Sequence, residues 1–245
     1  MSAPAFIKIL DTVDSTNNYA MAKVRAGLAR HSMAFAAMEQ TAGKGQRGKS
    51  WQMAKGQNIA MSLLIKTDKL KVEQQFYLSM AISLGVIDFF KNFVHDEVKI
   101  KWPNDLYWRD RKAGGILIET VFKGNNWKWA VAGIGININQ IRFSHSLPNP
   151  ISLQQITGRE YDILVMIHEL YDRVMFRVEN LLTLSIDELY QEYTRNLYQL
   201  NEIVTLKKGN VVFKTTIRGV SPQGQLLTAD KMERQFDFGE VEWVQ

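Results

Sequence analysis

Apolar residues recur at helical spacing in four segments of the chain. The clearest is residues 73–93, in which Phe76, Met80 and Leu84 fall on one stripe of a helix. The other three segments have an apolar face and polar or glycine ends, which are typical of helix termini. These segments run from the polar residues 14–16 to a stop at Gly27, over residues 162–182 and over residues 186–197.

Strands are predicted where β-branched and other apolar residues form short runs between turn residues. In the first part of the chain these runs are residues 33–39, 58–66, 98–102, 115–122 and 127–139. Residues 123–126 predict a hairpin between the last two runs, and residues 103–105 end the third run with turn chemistry.

After Asn201 the pattern changes to short strands separated by turns. The predicted strands are residues 203–207, 211–219, 225–229, 234–238 and 241–244. Their spacing predicts a small barrel of about 45 residues. Because so small a barrel is marginal alone, we expect it to pack against the larger part of the chain.

Composition narrows the class of protein. The 245 residues are 46% hydrophobic and 22% charged, as in an ordinary globular protein. The absence of cysteine excludes disulfides and thiolate metal sites, and none of the four histidines has the spacing of a zinc motif. No run reaches the ~18 consecutive apolar residues of a membrane helix, and the first residues do not resemble a signal peptide. We therefore expect a cytoplasmic protein without a membrane partner.

The net charge of +5 is concentrated in two short segments. Residues 39–55 and residues 99–112 each carry a net charge of +3, whereas the chain from residue 196 onward is neutral. Two short basic segments suit a small anionic ligand better than a long nucleic-acid track. Charge alone leaves open the alternative that these residues are only a solvated surface.

Four segments combine glycine, charged and amide residues in ways that suit a binding site. Between Gly43 and Gly48, glycines alternate with cations, so that backbone N–H groups can approach an anion. This segment fits G-x-G-x-x-G, but no helix pattern follows it, and a flexible hairpin tip is an alternative.

The other three segments lie at strand ends or inside strands. Residues 101–105 bring a cation, an amide and a carboxylate to a strand end, and residues 111–119 place Lys112 before paired glycines. Residues 132–139 have glycines within a strand, and Asn137 and Asn139 fall on one face of it, which favours a ligand there. Ordinary turns remain the alternative for the first two of these segments.

Taken together and in order, these motifs resemble those of the biotin–protein ligases. The resemblance covers about residues 10–140. It consists of STN at 15–17, EQTAGKGQRG at 39–48, KWPND at 101–105, KAGGILIE at 112–119 and GIGININ at 133–139. The lipoyl ligases and transferases share the fold of that family but lack the KWPND and GIGIN-type signatures.

The resemblance implies an α+β fold and a two-step reaction. A mixed β-sheet flanked by helices, like the catalytic domain of class II aminoacyl-tRNA synthetases and biotin ligases, would occupy residues 1–197. An SH3-like β-barrel would occupy residues 198–245. The enzyme would use ATP and Mg²⁺ to activate biotin as biotinyl-5'-AMP, and would transfer biotin to a lysine of a biotin carboxyl carrier protein.

The resemblance also assigns roles to residues. Lys112 and Lys44 are expected to be catalytic, and Asp105 is expected to be the metal ligand. The residues implied to bind biotin are Ser15, Thr16, Asn17, Gln40, Gly43, Lys44, Gly45, Gln46, Lys112 and Gly115. Those implied to bind ATP are Arg47, Lys49, Trp51, Asn104, Asp105 and Asn137, with Trp51 covering the adenine.

The glycine-rich loop departs from the family pattern. The familiar bacterial loop is GRGRRG, whereas this chain has GKGQRG. Lys44 keeps a cation but lacks the planar fork of arginine, and Gln46 replaces a second cation. We expect the loop to fold over the adenylate and to order around Lys44, Arg47 and Lys49.

Two other functions compete with biotin ligation. Attachment of lipoate would differ only in the acid that is activated. A basic binding module, with the C-terminal barrel as an adaptor, would explain the charge but not the glycine-rich motifs. Only fourteen residues precede Ser15, too few for a DNA-reading domain, so we expect no repressor function and no specific DNA partner. A homodimer is a possibility that the sequence does not decide.

Overall fold

A seven-stranded mixed sheet forms the centre of the protein. The computed structural model describes residues 6–144, 147, 149–183 and 185–244. The strands are β1 (Ile7–Val13), β2 (Ala34–Gln40), β3 (Asn58–Lys66), β4 (Val98–Lys101), β5 (Asp105–Trp108), β6 (Arg111–Lys123) and β7 (Asn126–Asn137). Their order across the sheet is β1-β2-β3-β7-β6-β5-β4. β1 and β2 run parallel, and every other neighbouring pair in this sheet is antiparallel.

Helices pack on both faces of this sheet, and the described part of the chain contains five α-helices. They are α1 (Thr16–Arg25), α2 (Gln75–Val94), α3 (Leu153–Thr157), α4 (Ile163–Glu179) and α5 (Ile186–Arg195). Alternate residues of a strand point to opposite faces, so each strand supplies two cores. Phe35 and Leu64 pack with Ala20 of α1, whereas Ala36 and Leu63 belong to the larger core that α2 and α4 share. Burial on both faces explains why β3 is apolar almost throughout.

The segment Val72–Val94, which contains α2, is the one part of the described chain long and apolar enough to cross a membrane by those two criteria. In the structure 67% of its most apolar window is buried inside the protein. A core helix meets the same criteria, and α2 packs against α4 and α5, so the segment is weak evidence for a membrane span.

A second, five-stranded antiparallel sheet follows α5. Its strands are β8 (Ile203–Lys208), β9 (Val211–Val220), β10 (Leu226–Ala229), β11 (Glu233–Phe236) and β12 (Glu242–Trp243), in the order β11-β10-β9-β8-β12. Its buried face, which includes Leu206 and Leu226, is continuous with the larger core. The sheet is consistent with the predicted SH3-like barrel, and it packs on the first sheet as expected. The predicted boundary at residue 197 falls in the connection between α5 and β8.

The predicted elements are present, with four differences. The strand β1 and the five-residue helix α3 were not predicted, because β1 is a half-exposed edge strand and α3 is too short for a periodic pattern. A turn at Trp102–Asn104 ends β4, in line with the predicted turn chemistry, but it leads directly into β5, which was not predicted. β6 begins at Arg111 instead of residue 115, so Lys112 lies inside a strand.

Candidate active site

One cleft, of about 1220 Å³, is lined by all the predicted site residues except Gly43. The end of β2, the glycine-rich loop and strands β4 to β7 form most of its walls, and Phe238, Gly239 and Trp243 of the second sheet complete it. Gly43 lies just behind the wall, where a Cβ atom would overlap the carbonyl oxygen of Trp51. The motifs that are dispersed in the sequence therefore meet in one place.

A neutral polar cluster occupies one end of the cleft. The backbone N–H and the hydroxyl of Thr16 donate to Oε1 of Gln40, at 2.8 and 3.2 Å. Ser15 and Thr16 are almost completely buried at the start of α1. This bonding leaves Nε2 of Gln40 available as a donor. Hydroxyl and amide groups in a dry, uncharged setting can hydrogen-bond a neutral polar ring.

Asn17 lines the same end, but its amide is largely used by the protein. Its Nδ2 donates to Oε2 of Glu119 at 2.8 Å, and its Oδ1 lies 2.6 Å from Oγ of Ser62. A Cβ atom at Gly133 would overlap this amide. Asn17 thus holds α1 close to β3, β6 and β7. Ser62 lies outside the motifs, whereas Glu119 is the last residue of KAGGILIE but had no role assigned; its carboxylate adjoins the neutral cluster through Asn17.

The glycine-rich loop is a compact hairpin. The N–H of Gly45 donates to the carbonyl of Lys49 at 2.7 Å, and a 3₁₀ turn covers Gln46–Gly48. Nζ of Lys44 lies 3.7 Å from Oε1 of Glu119. Arg47 has a left-handed backbone (φ 54°), and its guanidinium donates to the carbonyl of Gly239 at 3.2 Å. The loop is thus a hairpin that contacts β6 through Lys44 and the segment before β12 through Arg47, and its flexibility stays a prediction.

Lys112 and Asp105 form an ion pair in the middle of the cleft. The distance between Nζ of Lys112 and Oδ1 of Asp105 is 2.7 Å, and each side chain is about one quarter exposed. Gly115 packs beside the pair. A cation that is held in a fixed position and remains accessible can stabilise charge that moves from a carboxylate to a phosphate.

The amide residues near this pair differ in what they offer a ligand. Asn104 donates through Nδ2 to the carbonyl of Ile116, and Asn137 donates to the carbonyls of Ile151 and Lys112. Among the described residues, Oδ1 of each has no partner.

Asn139 has a different role from the one its position in the motif predicts. Its Nδ2 donates to the carbonyl of Tyr161 at 2.7 Å, and its Oδ1 accepts from the N–H of Tyr161 at 3.0 Å. The expectation that a ligand explains Asn139 is wrong, because β7 ends at Asn137 and the amide of Asn139 binds backbone beyond it.

Trp51 lies against β7. A Cβ atom at Gly135 would overlap its indole ring, so the ring packs directly on the backbone of that glycine. The indole Nε1 is buried and has no hydrogen-bond partner among the described residues. The proximity of Trp51 to the cleft is as predicted, and its contact with adenine stays a prediction.

Lys101 lines the cleft as the cation of the KWPND motif, although no ligand was assigned to it from the sequence. Its Nζ lies 4.4 Å from the ring centre of Tyr107, 5.0 Å from that of Trp243 and 5.5 Å from that of Tyr198. The residue is only 7% exposed, and burial lowers the pKa of its amine to about 8. A lysine at a buried strand position was the available signal, but the aromatic partners come from β5, from the segment after α5 and from β12.

The side-chain donors that line the cleft can be compared with those that the predicted Mg²⁺ ion needs. Within the described residues, no group of three or more His, Asp or Glu side chains could hold an ion. Asp105 is a single carboxylate, beside Asn104. Mg²⁺ commonly binds one or two carboxylates together with substrate phosphates and water, so this donor set fits an ion that arrives with a nucleotide.

The chain is similar to proteins of known function. The model of the biotin/lipoate A/B protein ligase family matches residues 9–137, just over half of the chain. The chain is 28% identical over 225 residues to the bifunctional ligase/repressor BirA of Salmonella typhimurium, covering 90% of this chain and 68% of the relative. It is 26% identical over 238 residues to the biotin–[acetyl-CoA-carboxylase] ligase of Paracoccus denitrificans, covering 93% and 95% of the two chains.

A solved structure shares the whole fold. The biotin protein ligase of Aquifex aeolicus, in complex with biotin and ATP, matches 97% of each chain with a TM-score of 0.80 and 23% identity. At that identity the likeness shows the fold alone. The alignments with four bifunctional ligase/repressors cover 39–68% of those relatives, so the chain spans about half of their length.

Proposed function

The chain belongs to the biotin/lipoate A/B protein ligase family, and we propose that it is an ATP-dependent biotin–[biotin carboxyl carrier protein] ligase. One observation carries the proposal. The neutral polar cluster around Gln40 and the ion pair of Lys112 and Asp105 line the same cleft, with the glycine-rich loop beside them. A substrate with a neutral polar ring at one end and a carboxylate at the other would engage both.

The first step forms an acyl adenylate. A carboxylate oxygen of biotin attacks the α-phosphorus of ATP, a P–O bond forms, and the bond to the β-phosphate breaks to release pyrophosphate. Lys112 holds the two anions together and stabilises the negative charge that accumulates on the α-phosphate. Backbone N–H groups of residues 43–48 supply further hydrogen-bond donors to these anions. Because these groups are uncharged, they need no counter-ion.

The second step transfers biotin to an amine. The neutral ε-amine of a carrier lysine attacks the acyl carbon of biotinyl-AMP, the C–N bond forms, and the C–O bond to AMP breaks. The amine loses a proton during this step, and Asp105, beside Lys112 in the cleft, is a carboxylate that can accept it. Because a mixed anhydride hydrolyses in water, closure of the loop over it protects the intermediate.

We include Mg²⁺ in the proposal as an ion that ATP brings. When bound, the ion neutralises charge on the phosphates. Asp105 would hold it, with Oδ1 of Asn104 as a second oxygen donor. Removal of divalent ions with EDTA is expected to stop pyrophosphate release, and added Mg²⁺ is expected to restore it.

The direct test is release of pyrophosphate from ATP with biotin or with lipoate. Biotin-dependent release, followed by labelling of a biotin carboxyl carrier domain, supports the proposal. Release with lipoate alone would assign the chain to lipoate attachment. Absence of release with either acid would leave the binding-module alternative, whose affinity for a polyanion would fall steeply with salt.

We propose no specific DNA partner for this chain. Its two basic segments lie in or next to the cleft and can neutralise only a few phosphates each. In a gel-shift assay at about 150 mM salt, we expect no discrete, biotin-dependent complex with a biotin-operon promoter. A complex that survives excess nonspecific DNA would contradict this part of the proposal.

A further inference from the structure

Lys101 is a buried cation without an anionic partner. Within the part of the chain that the structure describes, its Nζ donates no hydrogen bond and forms no ion pair, and three aromatic rings are its only partners. Burial of an unpaired charge is costly, and cation–π contacts return only part of the cost. An anion that binds beside the ammonium group would offset the rest of this cost.

The carboxylates nearest to Lys101 already have other partners. Asp105 pairs with Lys112 at 2.7 Å, and Asp110 accepts a hydrogen bond from the hydroxyl of Tyr198 at 2.6 Å. Neither carboxylate therefore forms an ion pair with Lys101. Lys101 lines the cleft that contains Lys112, so a ligand in that cleft can reach it.

The order of the strands fixes which part of a ligand lies near Lys101. Gln40 ends β2, Lys112 is on β6 and Lys101 ends β4, in this order across the sheet. β4 and β6 are two strand spacings apart, about 10 Å. If an acid binds at Gln40 and reacts at Lys112, the space near Lys101 is left for the part of ATP beyond the α-phosphate, which is the β- and γ-phosphates.

We propose that Lys101 binds the β- and γ-phosphates of ATP, and hence the pyrophosphate that leaves. This inference rests on the proposed ligase function and adds a residue to it. An ammonium held by three rings has its position fixed before the substrate arrives, and the dry setting strengthens its attraction for phosphate. Trp243 brings the second sheet into this site, because its ring forms one wall of the cage.

The test compares Lys101→Met with Lys99→Met in the full chain. Methionine keeps the packing of the lysine stem, and Lys99 lies on the same strand but does not line the cleft. We expect Lys101→Met to lower kcat/KM for ATP about tenfold or more, the effect of losing one charge-assisted bond. KM for biotin and transfer from supplied biotinyl-AMP are expected to stay within about twofold of wild type. Lys101→Arg restores part of the loss, and Lys99→Met shows none.

Two further measurements separate this inference from its alternatives. Binding of inorganic pyrophosphate, measured by calorimetry, weakens in Lys101→Met and needs no catalytic activity, so it tests Lys101 even if the ligase proposal fails. The unfolding temperature of Lys101→Met stays at or above that of wild type, because an unpaired buried charge is removed.

Three results would overturn the inference. The first is unchanged kcat/KM for ATP together with unchanged pyrophosphate binding. The second is an equal loss in transfer from supplied biotinyl-AMP, which would assign Lys101 to the acceptor side. The third is a lower unfolding temperature with parallel loss of biotin binding, which would make the cage only structural.

Discussion

At the scale of single residues, Lys112 is the fixed cation beside the expected point of reaction. We expect Lys112→Ala to keep the fold, since the side chain is partly exposed, and to lower the rate of adenylate formation. Loss of one charge-assisted hydrogen bond costs about 1.5–3 kcal/mol, or roughly 10–150-fold in rate. Biotin-dependent pyrophosphate release measures the effect, with Lys128→Ala as the control, since Lys128 lies near the start of β7 and does not line the cleft. A rate near that of wild type would refute the role of Lys112.

The contact between Trp51 and Gly135 yields a second prediction at this scale. A methyl group at position 135 would overlap the indole ring, so Gly135→Ala should lower the free energy of unfolding by about 1–3 kcal/mol. In a Trp51→Ala background the same change has room, and the cost should largely disappear. Denaturant unfolding of the two single variants and the double variant measures this coupling. Additive effects would mean that the two residues do not make the contact described.

Single residues also show what the sequence could and could not predict. The motifs identified Thr16, Gln40 and Lys112 because each stands in a local pattern with glycine or polar neighbours. The motif marked Lys101 as a cation at a strand end but not its aromatic cage, because the cage is built from three separate segments that local patterns do not bring together. Asn139 was assigned to a ligand because its partner, Tyr161, is 22 residues away and in another element.

At the scale of elements, length and burial decide which predictions succeed. The long helix α2 and the doubly buried strand β3 carry strong periodic or continuous apolar patterns. The edge strand β1 alternates poorly because it is half exposed, and α3 has only five residues. The turn chemistry at residues 103–105 is real, but a turn between antiparallel strands and the end of a sheet have the same local sequence.

The glycine-rich loop is the element with a predicted motion. Few contacts hold it, chiefly its internal hydrogen bonds and the contact of Arg47 with Gly239. We expect biotin plus ATP to slow tryptic cleavage at Lys44, Arg47 and Lys49, because an anion between these cations orders the loop. Cleavage at Lys208, at the end of β8 next to a hairpin turn and outside the cleft, is the control. Equal cleavage of the loop with and without ligands would argue against its role as a lid.

At the scale of the whole molecule, the second sheet completes the cleft of the first. The indole of Trp102 donates to the carbonyl of Gly224 at 2.8 Å, and the indole of Trp243 donates to the carbonyl of Trp102 at 3.3 Å. These bonds fix the second sheet at the turn between β4 and β5. The small sheet was predictable from the spacing of its strands, but its contribution to the site depends on contacts more than 100 residues apart.

This arrangement predicts that a change in the second sheet can impair chemistry without a matching loss of stability. Gly239 and Gly209 both have left-handed backbones (φ 84° and 58°), so alanine at either position should cost about 1 kcal/mol of unfolding free energy. At Gly209 the added Cβ meets open space, whereas at Gly239 it would lie 2.8 Å from the guanidinium of Arg47. Gly239→Ala should therefore displace the guanidinium of Arg47, which anchors the glycine-rich loop to Gly239, and lower kcat/KM for ATP by about tenfold, while Gly209→Ala leaves it near wild type. Steady-state pyrophosphate release and denaturant unfolding of both variants measure the two quantities. If the variants lose activity equally, the second sheet stabilises the protein but does not position the loop.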